Sequence, residues 1–364
     1  MAVPFNDTRR RFADSRQVLL DDWARLLDQG VFIGGPAVAS FEQAFAAYCG
    51  AAHCVGLANG TDALEIMLRA VGISGGDEVI MVANAGGYAT SACLSIGVVP
   101  VYVDVNIHDC QMDPSAIDEA VGPNTKAIVV THLYGLMSDV AEIRKRLSVL
   151  GRQDVALVED CAQAHGARLN ADRAGGLGAA GAFSFYPTKN LGAVGDAGAV
   201  ACNDAELAAR VRQLGQYDVT LPGGRNSRID PFQTIVLLHQ LPKLDQANAI
   251  RRKICRLYAD NLGAGWKLIH ADDPSFVGHL AVLIAPDAAA RARARDELRR
   301  RGIGHDIHYP ILDCDQTGWR GRGRIVGNLA RSRELTQRVL SIPCFAELTA
   351  DELEQVVDVL RAFK

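Results

Sequence analysis

The chain carries, at residues 181–190, the segment Gly181-Ala-Phe-Ser-Phe-Tyr-Pro-Thr-Lys-Asn190. Its apolar first half predicts a short strand, and Lys189 follows just after that strand. Upstream, Val155-Ala-Leu-Val-Glu-Asp160 predicts a second buried strand that ends in a carboxylate. Ligands of open α/β sheets bind beyond the carboxyl ends of the strands. Lys189 and Asp160 are therefore expected at one site.

The chemistry of these two side chains suggests a cofactor. A lysine amine forms a Schiff base with an aldehyde, and a carboxylate keeps a pyridine nitrogen protonated. These are the two protein groups that pyridoxal 5'-phosphate (PLP) chemistry needs most. Most lysines are solvated surface charges, so Lys189 alone would carry little weight. A buried Asp160 without a partner is costly, and a cationic pyridinium would explain its position.

Short apolar runs alternate with helical patterns over the first two-thirds of the chain. The apolar runs are nearly continuous in Val, Ile, Leu and Ala, as in a sheet that is buried on both faces. We therefore predict an α/β fold with a mostly parallel sheet. The predicted strands cover residues 54–58, 78–83, 99–103, 127–131, 155–159, 182–186 and 198–202, and the predicted helices cover residues 62–71, 90–96, 114–120 and 139–150.

The character of the sequence changes from about residue 236, where charged residues become frequent. We expect a large α/β domain over residues 20–245 and a smaller α+β domain over residues 246–364, with segment 1–19 packing nearby. The elements predicted for this part are a helix over 234–262 interrupted by Pro242, a strand over 277–284, a helix over 288–301, a strand over 304–309, a Gly/Arg-rich loop over 318–327 and a terminal helix over 351–363.

Composition narrows the class of protein. The net charge of −4 gives no basic footprint for nucleic acid, and the Arg-rich stretch 291–301 is interpreted as a solvated helix face. The nine cysteines form no C-x-x-C pair, so we expect buried thiols in a reducing cytoplasm and no metal site. The apolar stretch 80–105 is interrupted by Asn84, Pro100 and Asp104, which indicates strands and turns instead of a membrane span.

The segment Ala58-Asn-Gly-Thr-Asp-Ala63 follows a predicted strand and opens a predicted helix. Gly60 permits close approach of the backbone to a ligand, and Thr61 and Asp62 can cap the helix. The amides at a helix N-terminus form a phosphate site, although an ordinary N-cap gives the same pattern. Ser184 can donate to that phosphate or satisfy backbone in a turn.

Four further residues are candidates, and two of them, Gln163 and Tyr88, have two interpretations each. Gln163 can donate to the phenolic oxygen of the cofactor, or it is a polar helix residue. Tyr88 can stack on a flat heterocycle, or it packs at a helix start. His165 is interpreted as support for the turn at Gly166. Asn226 lies in a Gly-rich loop, where polar residues are usually solvated.

Taken together, these motifs make the chain similar to the DegT/DnrJ/EryC1/StrS family of PLP-dependent sugar aminotransferases. The motifs run in order and cover most of the chain. They are Phe32-Ile-Gly-Gly-Pro36, Asn59-Gly-Thr-Asp-Ala-Leu64, Gly76-Asp-Glu-Val79, His132-Leu-Tyr-Gly135, Glu159-Asp-Cys-Ala-Gln-Ala-His-Gly166, Phe183-Ser-Phe-Tyr-Pro-Thr-Lys-Asn-Leu-Gly192 and Asn226-Ser-Arg-Ile-Asp230.

The resemblance implies a type I aminotransferase fold, with a seven-stranded type of sheet in the large domain and PLP as cofactor. It makes Lys189 the Schiff-base lysine, Asp160 the partner of the pyridine nitrogen and Gln163 the neighbour of the phenolic oxygen. Gly60, Thr61 and Ser184 would form the phosphate cradle. Asn226 would reach the phosphate in the partner subunit, which implies a homodimer with shared sites.

The chain departs from the family pattern in one loop. Many members have an aromatic residue that stacks on the PLP ring where this chain has Ala85-Gly86, so Tyr88 or another group must cover the ring. Asn84-Ala-Gly-Gly-Tyr88 and Ile307-His-Tyr-Pro-Ile311 resemble the branch that aminates C3 of dTDP-3-keto-6-deoxyhexoses. That branch has a histidine where this chain has Asp313-Cys-Asp315, so sugar recognition is expected to differ.

The leading functional hypothesis is transfer of an amino group, from glutamate, to a nucleotide-linked keto-sugar in deoxyamino-sugar biosynthesis, for instance for O-antigen. The alternatives are amination at C4, a PLP-dependent sugar dehydratase and a regulatory protein that kept the scaffold. The dehydratase branch replaces the lysine with histidine, whereas this chain has Lys189. A regulator needs no Schiff base, so the lysine, the aspartate and the phosphate cradle argue against that reading.

Overall fold

A computed structural model describes residues 2–217 and 219–363. The strands are β1 His53–Leu57, β2 Glu78–Val82, β3 Val99–Val103, β4 Thr125–Thr131, β5 Ala156–Asp160, β6 Arg168–Leu169, β7 Asp172–Arg173, β8 Ala180–Ser184, β9 Gly198–Cys202, β10 Lys267–Leu268, β11 Ala281–Ile284, β12 Arg324–Ile325 and β13 Val339–Ile342. The large sheet runs in the order β1-β9-β8-β5-β4-β2-β3-β12, and a second sheet has the order β10-β11-β13.

Helices cover both faces of the large sheet. The α-helices are α1 Thr8–Arg11, α2 Arg16–Gln29, α3 Gly35–Cys49, α4 Gly60–Ala70, α5 Tyr88–Ser95, α6 Ile117–Ala120, α7 Val140–Val149, α8 Ala205–Gly215, α9 Pro231–Gln240, α10 Leu244–Ala259, α11 Ala288–Arg300, α12 Ala330–Arg338 and α13 Ala350–Arg361. Short 3₁₀ segments lie at Pro114–Ala116, Leu133–Gly135, Leu241–Lys243 and Asp313–Asp315. No helix of the described residues is long and apolar enough to cross a membrane.

The large sheet is parallel except for β9, which pairs antiparallel with both of its neighbours, β1 and β8. Successive strand residues enter cores on opposite faces. Val79 and Met81 pack into the core beneath α4 and α5, whereas Ile80 and Val82 pack into the core on the other face. Burial on both faces explains the nearly continuous apolar runs, and the predicted α/β fold is confirmed.

The register of β5 and β8 places Asp160 and the turn that bears Lys189 at one edge of the sheet. These strands are parallel, and Asp160 pairs with Ala182. β8 continues two residues further and ends at Ser184, so the turn that bears Lys189 starts beside Asp160. A backbone hydrogen bond of 2.8 Å from the Lys189 amide to the Tyr186 carbonyl closes that turn.

Segment 2–12 contacts the C-terminal part of the chain. Val3 pairs with Ile303 beside the end of α11. Arg10 donates to both carboxylate oxygens of Glu352, at 2.7 and 2.8 Å. These contacts hold α1 against the start of α13.

Several predictions for the C-terminal part were wrong in detail. The strand predicted over 277–284 is only Ala281–Ile284, because the Val277 amide instead bonds to the Gly135 carbonyl. The strand predicted over 304–309 does not form, and only Asp306 of that range pairs, with Ser341. The Gly/Arg-rich loop contains β12, which adds an eighth strand to the large sheet. Helix α12 and strand β13 were not predicted.

The interruption predicted at Pro242 is confirmed, since a 3₁₀ turn, Leu241–Lys243, separates α9 from α10. The cap predicted for α4 was wrong. Asn59 is the N-cap and accepts a hydrogen bond of 2.8 Å from the Asp62 amide, so Thr61 and Asp62 lie inside the first turn. All nine cysteines are buried, as expected for small structural thiols.

Candidate active site

A cavity of about 620 Å³ opens beyond the ends of β1, β5 and β8. Its volume lies within the range of roughly 300–1,000 Å³ typical of small-molecule sites. The lining residues are Phe5, Asn6, Asn59, Gly60, Thr61, Leu64, Tyr88, Ala162, Gln163, Ser184, Tyr186, Thr188, Lys189, Asp196, His279, Leu280, Asp306, His308 and Tyr309. The cavity thus gathers Lys189, Gly60, Thr61, Tyr88, Gln163 and Ser184 of the predicted site.

One side of the cavity is the N-terminus of α4. Gly60 is its first residue and faces Ser184 at the end of β8. A β-carbon on Gly60 would lie 2.5 Å from the Ser184 β-carbon, so only glycine allows this approach. The free amides of the first helical turn and the Ser184 hydroxyl form a set of donors suited to a phosphate.

Lys189 projects from the turn after β8 and is half-buried. Burial lowers the pKa of its amine to about 8, and the charge of Asp160 acts in the opposite direction. Arg11 of α1 fixes the backbone of the turn by donating to the carbonyls of Pro187 and Lys189, at 3.0 and 2.9 Å. The lysine therefore sits on a backbone that is tied to segment 2–12.

Asp160 ends β5 and is 5% exposed. Its Oδ1 accepts a hydrogen bond of 3.1 Å from the Ala162 amide. Burial raises the pKa of this carboxyl group, while the Ala162 amide and the charge of Lys189 oppose that rise. A cationic donor would stabilise a carboxylate in this environment.

The residue before it, Glu159, anchors the end of β5. The Ser138 amide donates to His132 Nδ1 at 3.0 Å, so the ring proton is on Nε2, which donates to Glu159 at 2.9 Å. Glu159 also accepts from the backbone amides of Gly175, Leu177 and Gly178. His132, Glu159 and Cys161 are close enough together to hold a metal ion, but these bonds already occupy both histidine nitrogens and both carboxylate oxygens.

Gln163 is held from two sides. Its Oε1 accepts from the Tyr134 amide at 2.6 Å, and its Nε2 donates to the Tyr309 hydroxyl at 3.0 Å. His165 lies behind the cavity, where its ring packs against Phe183 and Phe185. Burial lowers the pKa of His165 to about 3, so this ring is neutral and serves packing.

Two predicted site residues do not line the cavity: Asp160, which is buried at the end of β5, and Asn226. Asn226 is exposed and pairs with Gln216, in a loop that follows α8. Within that loop, the Ser227 hydroxyl accepts a hydrogen bond of 3.2 Å from the Ala58 amide, just before α4.

Sequence reasoning missed the wall of the cavity that Phe5, Asn6, His279, Asp306 and His308 form. The rings of Phe5 and His308 stack at 5.9 Å, and His308 Nδ1 lies 2.9 Å from the Ser341 hydroxyl. The only signal in the sequence was the motif around His308, because the other residues come from segments without a recognisable pattern.

The departure at Ala85-Gly86 has a steric explanation. A β-carbon on Gly86 would lie 2.7 Å from the Tyr309 ring, and one on Gly87 would overlap the Trp319 ring. Both glycines have positive φ, +82° and +87°, which also favours glycine. Tyr309 therefore fills the space in front of this loop, while Tyr88 lines the cavity and is 50% exposed.

A model of the DegT/DnrJ/EryC1/StrS aminotransferase family matches residues 14–361. The chain belongs to this family. A relative from Micromonospora megalomicea subsp. nigra, a dTDP-3-amino-3,4,6-trideoxy-alpha-D-glucose transaminase, is 38% identical over 95% of this chain and 94% of its own length. A UDP-N-acetyl-3-dehydro-alpha-D-glucosamine 3-aminotransferase from Acidithiobacillus ferrooxidans is 36% identical over 99% and 97%.

Solved structures of the family share the whole fold. DesV from S. venezuelae superimposes with a TM-score of 0.92 at 35% identity, over 99% of this chain and 98% of DesV. NtdA from Bacillus subtilis, with bound cofactor PMP, superimposes with a TM-score of 0.89 at 29% identity, over 100% of this chain and 85% of NtdA. The chain is a PLP-dependent aminotransferase.

The cavity fits this cofactor. Gly60 allows the start of α4 to approach Ser184 closely, so the amides of the first helical turn and the Ser184 hydroxyl lie together at the cavity and can donate to a phosphate. A primary amine, Lys189, and a buried carboxylate, Asp160, lie within electrostatic reach of one another. The site thus offers hydrogen-bond donors for the phosphate, an amine for the aldehyde and an acid for the ring nitrogen, which are the groups that PLP requires.

We predict that Gly60→Ala weakens PLP binding about 10-fold, because overpacking of a tight contact costs roughly 1–3 kcal/mol. The added methyl group must displace Ser184 or the first turn of α4. Equilibrium titration of the apoenzyme with PLP measures the effect. Gly318→Ala is the matched control, since a β-carbon there meets open space. Equal PLP affinity in Gly60→Ala and the wild type would contradict the proposed cradle.

Proposed function

We propose that the protein transfers an amino group from L-glutamate to a nucleotide-linked keto-sugar, at C3 of a dTDP-3-keto-6-deoxyhexose. The observation that carries this proposal is the cavity that Lys189 lines together with Gly60, Thr61 and Ser184, at the edge of the sheet where β5 ends in the buried Asp160. The names of both relatives place the nitrogen at position 3 of the sugar, and they differ in the nucleotide. Position 3 is therefore better supported than the thymine base.

When bound, PLP supplies an aldehyde that takes up the amino group and a ring that withdraws electrons from the reacting carbon. Lys189 then acts as the general acid and base that moves a proton during transfer of the amino group. With a pKa lowered to about 8 by burial, its amine gives and takes a proton near neutral pH at little cost in free energy. Arg11 keeps the turn of Lys189 in place through the two backbone carbonyls.

Asp160 keeps the proton on the ring nitrogen of the cofactor. Only the Ala162 amide, among the described residues, donates to this carboxylate, through Oδ1, which leaves Oδ2 for a cationic donor. Gly60, Thr61 and Ser184 hold the phosphate. Gln163 orients the phenolic oxygen, and its own bonds to Tyr134 and Tyr309 fix the position of its amide.

A product assay tests the substrate. Holoenzyme is incubated with glutamate and, separately, with dTDP-, UDP- and GDP-linked 3-keto and 4-keto sugars, and the products are analysed by mass spectrometry. We expect an amino-sugar from the dTDP-3-keto substrate, with formation of 2-oxoglutarate. Turnover of the 4-keto sugar alone would establish the alternative, amination at C4.

We also propose a homodimer in which Asn226 reaches the cofactor phosphate of the partner subunit. Asn226 is exposed and lies outside its own cavity. The apolar side chains of Phe32, Ile33 and Tyr186 are 46%, 55% and 52% exposed, which is typical of a surface that another subunit covers. A closed two-fold dimer is the simplest arrangement with such shared sites.

Subunit mixing tests this arrangement. Lys189→Ala and Asn226→Ala chains are each expected to be inactive, whereas mixed dimers regain activity because one of their two sites has both residues intact. The measurement is specific activity after the two variants are unfolded and refolded together, with each variant refolded alone as control. A fully active monomer in sedimentation experiments would exclude the shared site.

We further propose that residues 20–245 and 246–364 form two domains. The three strands of the second sheet, β10, β11 and β13, all come from the latter range. The boundary lies at the start of α10, and β12 is the strand from the C-terminal range that joins the large sheet.

A further inference from the structure

We propose that His279 selects the sugar substrate, by accepting a hydrogen bond from one of its hydroxyl groups at Nε2. This inference rests on the proposed function and adds a specificity-determining residue to it. His279 lies on the segment just before β11 and lines the cavity together with Lys189 and His308.

The hydrogen bonds of Asn190 determine which nitrogen of His279 carries the proton. Asn190 Nδ2 lies 3.1 Å from the Val277 carbonyl and 2.8 Å from Asn248 Oδ1. A backbone carbonyl only accepts hydrogen bonds, so the NH₂ group of the Asn190 side chain must face the Val277 carbonyl. The side-chain oxygen of Asn190 therefore faces His279. Asn190 Oδ1 lies 3.0 Å from His279 Nδ1, which must therefore be the protonated nitrogen.

Nε2 of His279 is consequently an acceptor with a free lone pair. No group within residues 2–217 and 219–363 forms a hydrogen bond to this atom, although the residue is only 7% exposed and lines the cavity. Burial and the nearby charge of Lys189 hold the pKa of His279 well below its usual range. The ring therefore stays neutral and keeps this acceptor at working pH.

A fixed acceptor distinguishes the two substrates of the reaction. The keto-sugar carries hydroxyl donors, which in a 3-keto-6-deoxyhexose are those at C2 and C4. Glutamate carries carboxylates, which only accept, and the amine that reacts with the cofactor. The lone pair on His279 Nε2 therefore favours binding of the sugar and offers no hydrogen bond to the side chain of glutamate. A site built to bind a hydroxyl discriminates strongly against an analogue without it, because its own polar atom is then left unpaired.

A cycle of variants and ligand analogues tests the proposal. Calorimetry of the holoenzyme measures the dissociation constants of the dTDP-linked 3-amino-sugar product and of analogues that each lack one ring hydroxyl. In the wild type, we expect removal of one particular hydroxyl to weaken binding about 10-fold. In His279→Phe, the parent compound and that analogue should bind equally. The half-reaction with glutamate, followed by cofactor absorbance, should slow less than the half-reaction with the keto-sugar, because no bond to glutamate is lost.

His279→Asn is the matched control for a structural role. Its shorter amide can still donate to Asn190 but places no acceptor at the position of Nε2, so it should lose the hydroxyl preference as His279→Phe does. If His279→Asn kept the wild-type preference, or if both half-reactions fell together, His279 would be structural and the inference wrong. Failure of the wild type to bind any nucleotide-sugar would instead overturn the proposed function, and this inference with it.

Discussion

Lys189→Ala is expected to abolish transamination while the fold stays intact. The turn that bears Lys189 is held by the Arg11 guanidinium, which donates to two backbone carbonyls, and by the backbone bond to Tyr186, none of which involves the side-chain amine of Lys189. Loss of the amine removes the group that moves the proton, so the rate should fall on the order of 10⁴-fold or more. Steady-state turnover with glutamate and the preferred keto-sugar measures the loss.

The control is Lys145→Ala, which removes an exposed lysine of α7. It should leave turnover unchanged. Circular dichroism and the melting temperature show whether Lys189→Ala is folded, and the absorbance band of the cofactor near the visible edge should disappear. Transamination above a trace level in a folded Lys189→Ala enzyme would refute the role assigned to this residue.

The placement of Lys189 and Asp160 at one edge of the sheet could be predicted because Asp160 ends one buried strand and Lys189 follows another. Nearly continuous apolar runs identified β5 and β8 to within two residues, and parallel strands bring their carboxyl ends to one edge. The loop at Ala85-Gly86 was different. The sequence showed that an aromatic residue was missing, but Tyr309, which fills the space in front of it, is more than 200 residues away.

Short or long-range elements escaped prediction for physical reasons. Two residues, Arg324 and Ile325, carry no periodicity, and their pairing with β3 depends on tertiary contacts alone. The pattern over 304–309 is typical of a strand. In the structure, however, the Tyr309 hydroxyl accepts a hydrogen bond from the Gln163 side chain and the His308 ring hydrogen-bonds to the Ser341 hydroxyl. Phe5 and His279 reach the cavity through long-range contacts that no local pattern reports.

Asp160→Ala is expected to leave PLP bound and to lower the turnover rate by about 10²-fold or more, within the range for lost electrostatic or acid–base groups. The phosphate cradle and Lys189 remain in this variant, so the cofactor should still bind. Without the carboxylate, the ring nitrogen loses its proton and withdraws electrons less strongly. Single-turnover kinetics of the glutamate half-reaction measure this step directly.

Asp160→Asn removes the negative charge of the side chain and keeps its shape. The amide fills the same space and can keep the bond from the Ala162 amide through its oxygen, but it cannot stabilise a cationic nitrogen. We therefore expect Asp160→Asn to be nearly as slow as Asp160→Ala, whereas the exposed variant Asp154→Asn keeps the wild-type rate. Near-normal turnover of Asp160→Asn would mean that the proton on the ring nitrogen does not depend on this carboxylate. Burial raises the pKa of Asp160 and the charge of Lys189 offsets that rise only in part, so a cationic ring nitrogen of the bound cofactor should stabilise the carboxylate further.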